Sequence, residues 1–300
     1  MFDARVGFSN GGGLSVEGFR VDVPSPDTGA DEVAALFVAS LGLLMTETVE
    51  FGRLSIIEEQ HKGTRGGPSG LSAHGAAETR PRRVELNHVV RHGETTYPGL
   101  PAPQIGAYLA REASRAVYDD GTEFQIDHIS MVGNTGTYLD SPFHRYHDGA
   151  DLSSIPLDRL VDLPAVVVRT AGSGVRAVDV GHLAPFEVEG RAVLLHTGGD
   201  ERWGTPDYAV DAPYLTARAA EWLVARKAAL VGVDSVNIDP LDQGRARPAH
   251  SALLGAGIPI VEHLTGLGQL PPLGASFTAV PPRVQGFGTF TVRAFATLPG

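Results

Sequence analysis

Short apolar runs bounded by turn-forming residues dominate the chain from Val84 onward. They are rich in β-branched residues and flanked by Gly and Pro, which is typical of buried strands. Between two of them, residues 216–228 carry apolar side chains on one face, which predicts an amphipathic helix that leads into the next strand. This order favours a mixed α/β sheet. The runs are PAVVVRT (164–170), RAVLLHTG (191–198), AALVGVDSVNID (228–239) and GIPIVEHL (257–264).

The two ends of the chain have different patterns. Residues 14–60 predict a strand, a buried helix that begins near Asp31, and a second strand, because acidic residues suit a helix N-terminus. Residues 62–80 are dense in Gly, Ser and Ala, which is typical of a linker. We therefore predict an N-terminal extension over 1–80 and a larger domain over 81–300. The tail, 288–298, alternates apolar and polar residues and predicts one half-buried strand.

Composition narrows the class of protein. With 300 residues, 42% of them hydrophobic, the chain can bury a sizeable core. A net charge of −11 argues against capture of nucleic acid or anionic membranes. The absence of cysteine excludes disulfides, thiolate zinc sites and cysteine nucleophiles. No signal peptide or membrane-length apolar run is evident. We expect a cytoplasmic protein with a small-molecule substrate and no nucleic-acid or membrane partner.

The segment NTGTYLDSPFHRYH, residues 134–147, carries the first candidate site. In an extended segment, residues two apart share a face, so Asn134, Tyr138 and Asp140 are expected to point the same way. Asp140 is a strong metal ligand, and Tyr138, with an ordinary pKa of about 10, is a usable proton donor. His144 follows Pro142 in a predicted turn. The same residues also fit an ordinary polar loop.

A second candidate cluster lies in RPAHSALLGAGIPIVEHL, residues 247–264. Glu262 follows a buried apolar run, where a charge is costly without a partner, and His250 lies near a predicted helix start. A histidine that only caps a helix and a glutamate that only ends a strand would give the same sequence pattern. Asp234 and Asp239 end another predicted strand, where aspartates also commonly cap loops.

Two loops are predicted to border a pocket. The segment 91–101 carries Tyr97 as an aromatic wall, and the segment HTGGDERW, residues 196–203, follows a strand and ends on Trp203. With Asn134, these side chains are the predicted substrate contacts.

The segment NTGTYLDSPFH resembles the signature of the cyclase-like metal-dependent hydrolases, the family that includes bacterial kynurenine formamidase and isatin hydrolase. That signature reads His-x-Gly-Thr-His-x-Asp-x-Pro-x-His. The resemblance implies an α/β fold, a mixed β/β/α cyclase-like (swivelling-type) domain with a barrel-like sheet flanked by helices. It also implies a homo-oligomer, a dimer or a tetramer. It covers roughly 84–298 and includes the segments 97–101, 156–168, 196–203, 213–224 and 250–264.

The resemblance also implies roles for individual residues. Asp140, His250 and Glu262 correspond to metal ligands, and His144 corresponds to the histidine that handles protons. Asn134 and Tyr138 stand where the family has its two signature histidines. The remaining donor set is richer in oxygen, which favours manganese or magnesium over zinc. We expect one divalent metal ion (manganese, magnesium or zinc) or none.

Three hypotheses about function remain open at this point. The first is an amidohydrolase that cleaves an N-formyl amide, a cyclic amide or a lactone, with one divalent metal and His144 as general base. The second is a metal-independent cyclase or hydrolase in which Tyr138 and His144 form an acid–base pair. The third is a non-catalytic binding protein that kept the pocket.

Overall fold

The computed structural model describes residues 1–23, 25–43, 45–56 and 81–299, so the predicted linker over 62–80 lies outside the described residues. The N-terminal part forms a three-stranded antiparallel sheet of order β2-β1-β3. The predicted strand, helix and strand correspond to β2, α1 and β3; β1 was not predicted. The division into 1–80 and 81–300 stays a prediction. The elements are β1 (Phe2–Phe8), β2 (Gly13–Phe19), α1 (Ala30–Leu41) and β3 (Thr46–Leu54).

The remaining strands begin at residue 82. They are β4 (Arg82–Glu85), β5 (Gln104–Leu109), β6 (Ile126–Ser130), β7 (Tyr138–Asp140), β8 (Leu163–Arg169), β9 (Ala177–Val178), β10 (Ala192–His196), β11 (Tyr214–Leu215), β12 (Leu230–Val233), β13 (Ile260–Glu262), β14 (Ser276–Val280), β15 (Thr289–Thr291) and β16 (Arg293–Leu298).

A nine-stranded sheet organises this part, with the order β15-β7-β13-β12-β10-β8-β14-β16-β4. The four apolar runs form its adjacent parallel strands β8, β10, β12 and β13, and the flanking strands are antiparallel. The predicted single tail strand is in fact two, β15 and β16, separated by Val292. These two strands lie near opposite ends of the strand order, so the sheet must curl. The prediction of a mixed α/β fold with a barrel-like sheet is thereby confirmed.

The helices of this part are α2 (Arg111–Ser114), α3 (Val180–Leu183), α4 (Ala217–Ala225) and α5 (Pro248–Gly255). Of these, α3, α4 and α5 bury side chains in a hydrophobic core that they share with the sheet. The Thr216 side chain accepts a hydrogen bond from the Ala219 amide and so caps α4. This helix ends earlier than predicted, because Lys227 adopts a left-handed backbone with φ 56°. None of the described helices is long and apolar enough to cross a membrane.

Alternate residues of β8 pack on opposite faces of the sheet, as the period of a strand requires. Val166 and Val168 share one hydrophobic core with α4, α5 and the N-terminal part, including Phe2 of β1 and Phe37 of α1. Val167 belongs to a second core. The N-terminal strands therefore bury their apolar side chains against the same sheet that carries the candidate site.

Candidate active site

The centre of the site is β7, near one end of the large sheet. Tyr138 and Asp140 lie two residues apart on this strand and therefore share a face. On one side β13 places Glu262 opposite Tyr138, and on the other β15 places Thr289 opposite Asp140. All four side chains are buried. Strand pairing thus gathers residues that are more than a hundred positions apart.

The segment before β7 departs from the predicted extended backbone. Gly136 has φ 67°, a left-handed conformation, and a Cβ there would meet Val90 Cγ2 at 2.9 Å. Asn134 therefore does not share a face with Tyr138 by strand alternation, as the sequence suggested. It reaches the same cavity through this turn.

The orientation of His250 is set by Asp239, which ends the loop after β12. The Asp239 carboxylate accepts hydrogen bonds from the backbone N–H groups of Ala249 at 2.7 Å and of His250 at 3.0 Å, and so caps α5. It also accepts His250 Nδ1–H at 2.6 Å. The opposite nitrogen, Nε2, then lies 3.6 Å from Asp140 Oδ2 and 3.6 Å from Glu262 Oε1. Histidines that bind metals commonly donate a hydrogen bond from their other ring nitrogen to a carboxylate, which fixes the ring orientation.

Glu262 is fixed by two hydrogen bonds. Oε1 accepts a hydrogen bond from the Ile238 backbone N–H at 2.6 Å, and Oε2 accepts one from the Tyr138 hydroxyl at 2.6 Å. Burial raises the pKa of Glu262 to about 7, against the opposing charge of His250. Burial likewise raises the pKa of Tyr138 well above its usual value, which keeps the phenol protonated. Tyr138 is therefore a neutral hydrogen-bond donor in this site.

Thr289 connects Asp140 to His144. Its hydroxyl donates to Asp140 Oδ1 and lies 2.8 Å from His144 Nδ1. Since the single hydroxyl proton points to the carboxylate, the Thr289 oxygen accepts a hydrogen bond from His144 Nδ1–H. This leaves the lone pair of His144 on Nε2. His144 follows Asp140 in a 3₁₀ helix, Pro142–His144, and its side chain is 37% exposed.

The charge balance around His250 fits a bound cation. Burial lowers the pKa of this imidazole, but Glu262, Asp140 and Asp239 outweigh burial and raise the pKa to about 10. Asp140 Oδ2 is buried without a hydrogen-bond partner among the described residues. Ligand atoms of Asp140, His144 and His250 lie within 4.8 Å of one another. The donor set therefore suits a divalent ion of the hard or borderline type.

His144, His250 and Glu262 line a cavity of about 260 Å³. Of the predicted substrate contacts, Tyr97 and Asn134 border it, but Trp203 is not among the lining residues. The Trp203 ring stacks on His88 with centroids 3.8 Å apart and packs edge-on against His263. It thus belongs to an aromatic cluster outside the cavity wall. The lining residues are Tyr97, Leu100, Asn134, Tyr138, His144, Arg145, Asn237, Arg247, His250 and Glu262.

Sequence reasoning missed three parts of the site. Thr289 was seen only as a polar position of the tail strand, and the cavity residues Arg145 and Arg247 gave no signal. Asp239 had been noted, but its contact with His250 had not. The position of Asp239 at the end of a hydrophobic run is the sequence feature that points to a buried role. Thr289, Arg145 and Arg247 have no such feature, and only the tertiary structure brings them to the site.

The chain is similar to known proteins. The family model described as putative cyclase matches residues 84–240. A kynurenine formamidase from Salinibacter ruber is 32% identical over 180 residues, which cover 59% of this chain and 81% of that relative.

Solved structures share the fold. Isatin hydrolase A from Ralstonia solanacearum has a TM-score of 0.63 and 24% identity, covering 73% of this chain and 92% of that one. A structure described as a potential metal-dependent hydrolase with cyclase activity has a TM-score of 0.59 and 22% identity, covering 72% and 98%. Because the family model spans more than half of the chain, this protein belongs to the putative cyclase family.

Proposed function

We propose that the protein is a metal-dependent amidohydrolase that cleaves an N-formyl amide, a cyclic amide or a lactone in a small-molecule substrate. The observation that carries this proposal is that His250 Nε2 lies 3.6 Å from carboxylate oxygens of both Asp140 and Glu262, with a ligand atom of His144 close to the same group. Relatives named kynurenine formamidase and isatin hydrolase support the same reaction class.

One divalent ion would be held by Asp140, His250 and Glu262. Two carboxylates and one imidazole favour manganese or magnesium over zinc. When bound, such an ion polarises a carbonyl group and lowers the pKa of water. The Tyr138 hydroxyl, which donates to Glu262, would orient that carboxylate. This supports a single ion, since the phenol occupies a position where the family signature has a histidine.

His144 is proposed as the general base. Its Nε2 lone pair faces the cavity because Thr289 holds Nδ1. It would accept a proton from water as the water oxygen bonds to the substrate carbonyl carbon. The same proton would then pass to the leaving nitrogen, or to the leaving oxygen of a lactone, as its bond to that carbon breaks. Asn134 and Tyr97 line the cavity and are proposed to bind the substrate.

The proposal is tested by assaying metal-free protein against N-formyl amides, cyclic amides and lactones with added manganese, magnesium or zinc. Activity should disappear with chelator, return with manganese, and be lost in Asp140→Asn. Asp148→Asn is the matched control, since that carboxylate is fully exposed on the same loop. A protein that binds none of these ions and cleaves none of these compounds would overturn the proposal.

A metal-independent reaction is the second candidate, and one observation favours it. Without a metal, the His250 imidazolium already balances the buried carboxylates, because its pKa is raised to about 10. Tyr138 and His144 would then be the acid–base pair. In that case chelator would leave activity unchanged and Tyr138→Phe would abolish it. Saturable ligand binding without turnover would instead support the binding-protein hypothesis.

The protein is further proposed to be a cytoplasmic homo-oligomer, a dimer or a tetramer. The antiparallel pair β5 and β6, with the segment between them, exposes several large apolar side chains that a partner subunit would cover, including Tyr108, Val117 and Phe124. Light scattering should show a multimer, and Tyr108→Glu with Val117→Glu should shift it toward monomer. Leu157→Glu, at another exposed position, is the control. A monomeric wild type would contradict the proposal.

A further inference from the structure

Two arginine side chains line the same cavity as the buried acids. Arg145 follows His144 directly, and Arg247 directly precedes α5, which carries His250. Both come from segments that also supply site residues, and both border the space that a substrate must enter. These two residues are called the arginine pair below.

The arginine pair has no carboxylate partner among the described residues. Arg145 Nε lies 3.4 Å from Ser251 Oγ, and its guanidinium lies 5.1 Å from the Tyr146 ring centre. Arg247 donates to the carbonyl of Ala246 at 3.0 Å. By contrast, Arg218 and Arg293 pair with acidic side chains.

The negative charge around the arginine pair bears on what the pair can bind. The chain carries a net charge of −11, Glu262 lies in the cavity wall, and Asp140 Oδ2 lies 3.6 Å from Nε2 of the lining residue His250. An anionic substrate would be repelled by that field unless cations stood close to its charged group. Guanidinium groups bind carboxylates with short, charge-assisted hydrogen bonds, often two at a time.

We infer that the arginine pair binds a carboxylate group of the substrate, while the amide to be cleaved lies against Asp140 and His144. The substrate class is then an amide or cyclic amide that carries a separate carboxylate. This inference rests on the proposed hydrolase function and adds the group that determines specificity.

The test uses two formamides that differ only in the carboxylate, N-formylanthranilate and formanilide. Wild-type protein should hydrolyse N-formylanthranilate with a kcat/KM about 10-fold or more above that of formanilide, the size expected for a hydrogen bond to a charged group. Arg247→Met and Arg145→Met should raise KM for N-formylanthranilate much more than KM for formanilide, so that the preference for the carboxylate shrinks. Arg247→Lys should recover part of the difference.

Arg245→Met is the matched control, because this arginine is exposed in the same loop and does not line the cavity. Binding of N-formylanthranilate is also measured by calorimetry, which needs no turnover, and melting temperatures check that each variant folds. Equal kcat/KM for the two compounds, with variants that affect both alike, would overturn this inference and leave the hydrolase function standing. Hydrolysis of neither compound, nor of the cyclic amides and lactones above, with binding that still depends on the arginine pair, would overturn the hydrolase function and uphold the carboxylate site. Equal binding affinity for the two compounds, in the wild type and in the arginine variants alike, would overturn this inference.

Discussion

At the scale of single residues, the site is defined by what stands in place of two signature histidines. Tyr138 supplies a hydroxyl that binds Glu262 at 2.6 Å, and Asn134 reaches the cavity through a turn at Gly136. Neither side chain is a strong metal ligand at neutral pH. The predicted ligand set is therefore small, and we expect its support by neighbouring residues to matter more than it would in a site rich in histidine.

Restoring the two imidazoles should increase zinc affinity. In the double variant Asn134→His/Tyr138→His, we expect zinc to bind about 10-fold tighter or more, because imidazole is a better zinc ligand than an amide or a phenol. Competition with a chromophoric chelator measures this. Tyr138→Phe, which adds no ligand, is the control. Unchanged zinc affinity in the double variant would show that these positions do not face the ion.

Asp239 should control metal affinity through His250. Asp239→Asn weakens the hydrogen bond that fixes the ring and its tautomer, so manganese should bind about 10–100-fold more weakly. Calorimetric titration measures the affinity. Asp242→Asn is the control, since that carboxylate lies three residues away in an exposed ion pair with Arg176. Equal manganese affinity in both variants would mean that Asp239 only caps α5.

At the scale of elements, close backbone contacts hold the strand and the turn of the site together. Gly288, just before β15, packs so tightly that a Cβ would meet the backbone nitrogen of His144 at 2.6 Å. Gly133, before β7, approaches the carbonyl of Thr289 in the same way. These glycines allow β15 to bring Thr289 between Asp140 and His144.

A methyl group at position 288 should therefore damage the site. Gly288→Ala forces the His144 backbone away, and we expect a loss of about 1–3 kcal/mol in unfolding free energy, typical of overpacking, with reduced activity. Urea unfolding measures the first effect. Gly106→Ala is the control, because nothing lies within 4 Å of a Cβ there. If both variants unfold at the same urea concentration, this contact is not tight in solution.

At the scale of the whole molecule, buried neutral histidines link stability to pH. Burial lowers the pKa of His88 to about 4 and that of His263 to about 3. The unfolded chain, with histidine pKa values near 6.5, binds more protons than the folded one in this range. The folded state is therefore fully stabilised above about pH 6.5 and loses stability as pH falls toward these values.

Replacing His88 should flatten that dependence. His88→Phe keeps a ring stacked on Trp203 and removes one titrating group. The loss of unfolding free energy between pH 7 and pH 4 should shrink by about 1 kcal/mol, less than the full shift implies because His88 is only partly buried. Urea unfolding at several pH values measures this. His147→Phe, at an exposed ring, is the control, and equal pH slopes in the two variants would contradict the prediction.

The sequence alone determined the family and the four parallel strands of the large sheet. β-branched runs bounded by turns predicted β8, β10, β12 and β13, because burial on both faces of a strand leaves a local pattern. The resemblance to the family predicted the candidate ligands Asp140, His250 and Glu262 and the proton-handling His144, because a motif on one segment keeps its spacing.

Only the tertiary structure decided which distant residues meet these ligands. Thr289 joins Asp140 to His144 through strand pairing, Asp239 reaches His250 across a loop, and the arginine pair enters the cavity from two separate segments. Trp203, predicted to contact substrate, instead packs on His88. Such contacts depend on strand order and on the curl of the sheet, which are set by packing between segments far apart in the chain and leave no local pattern.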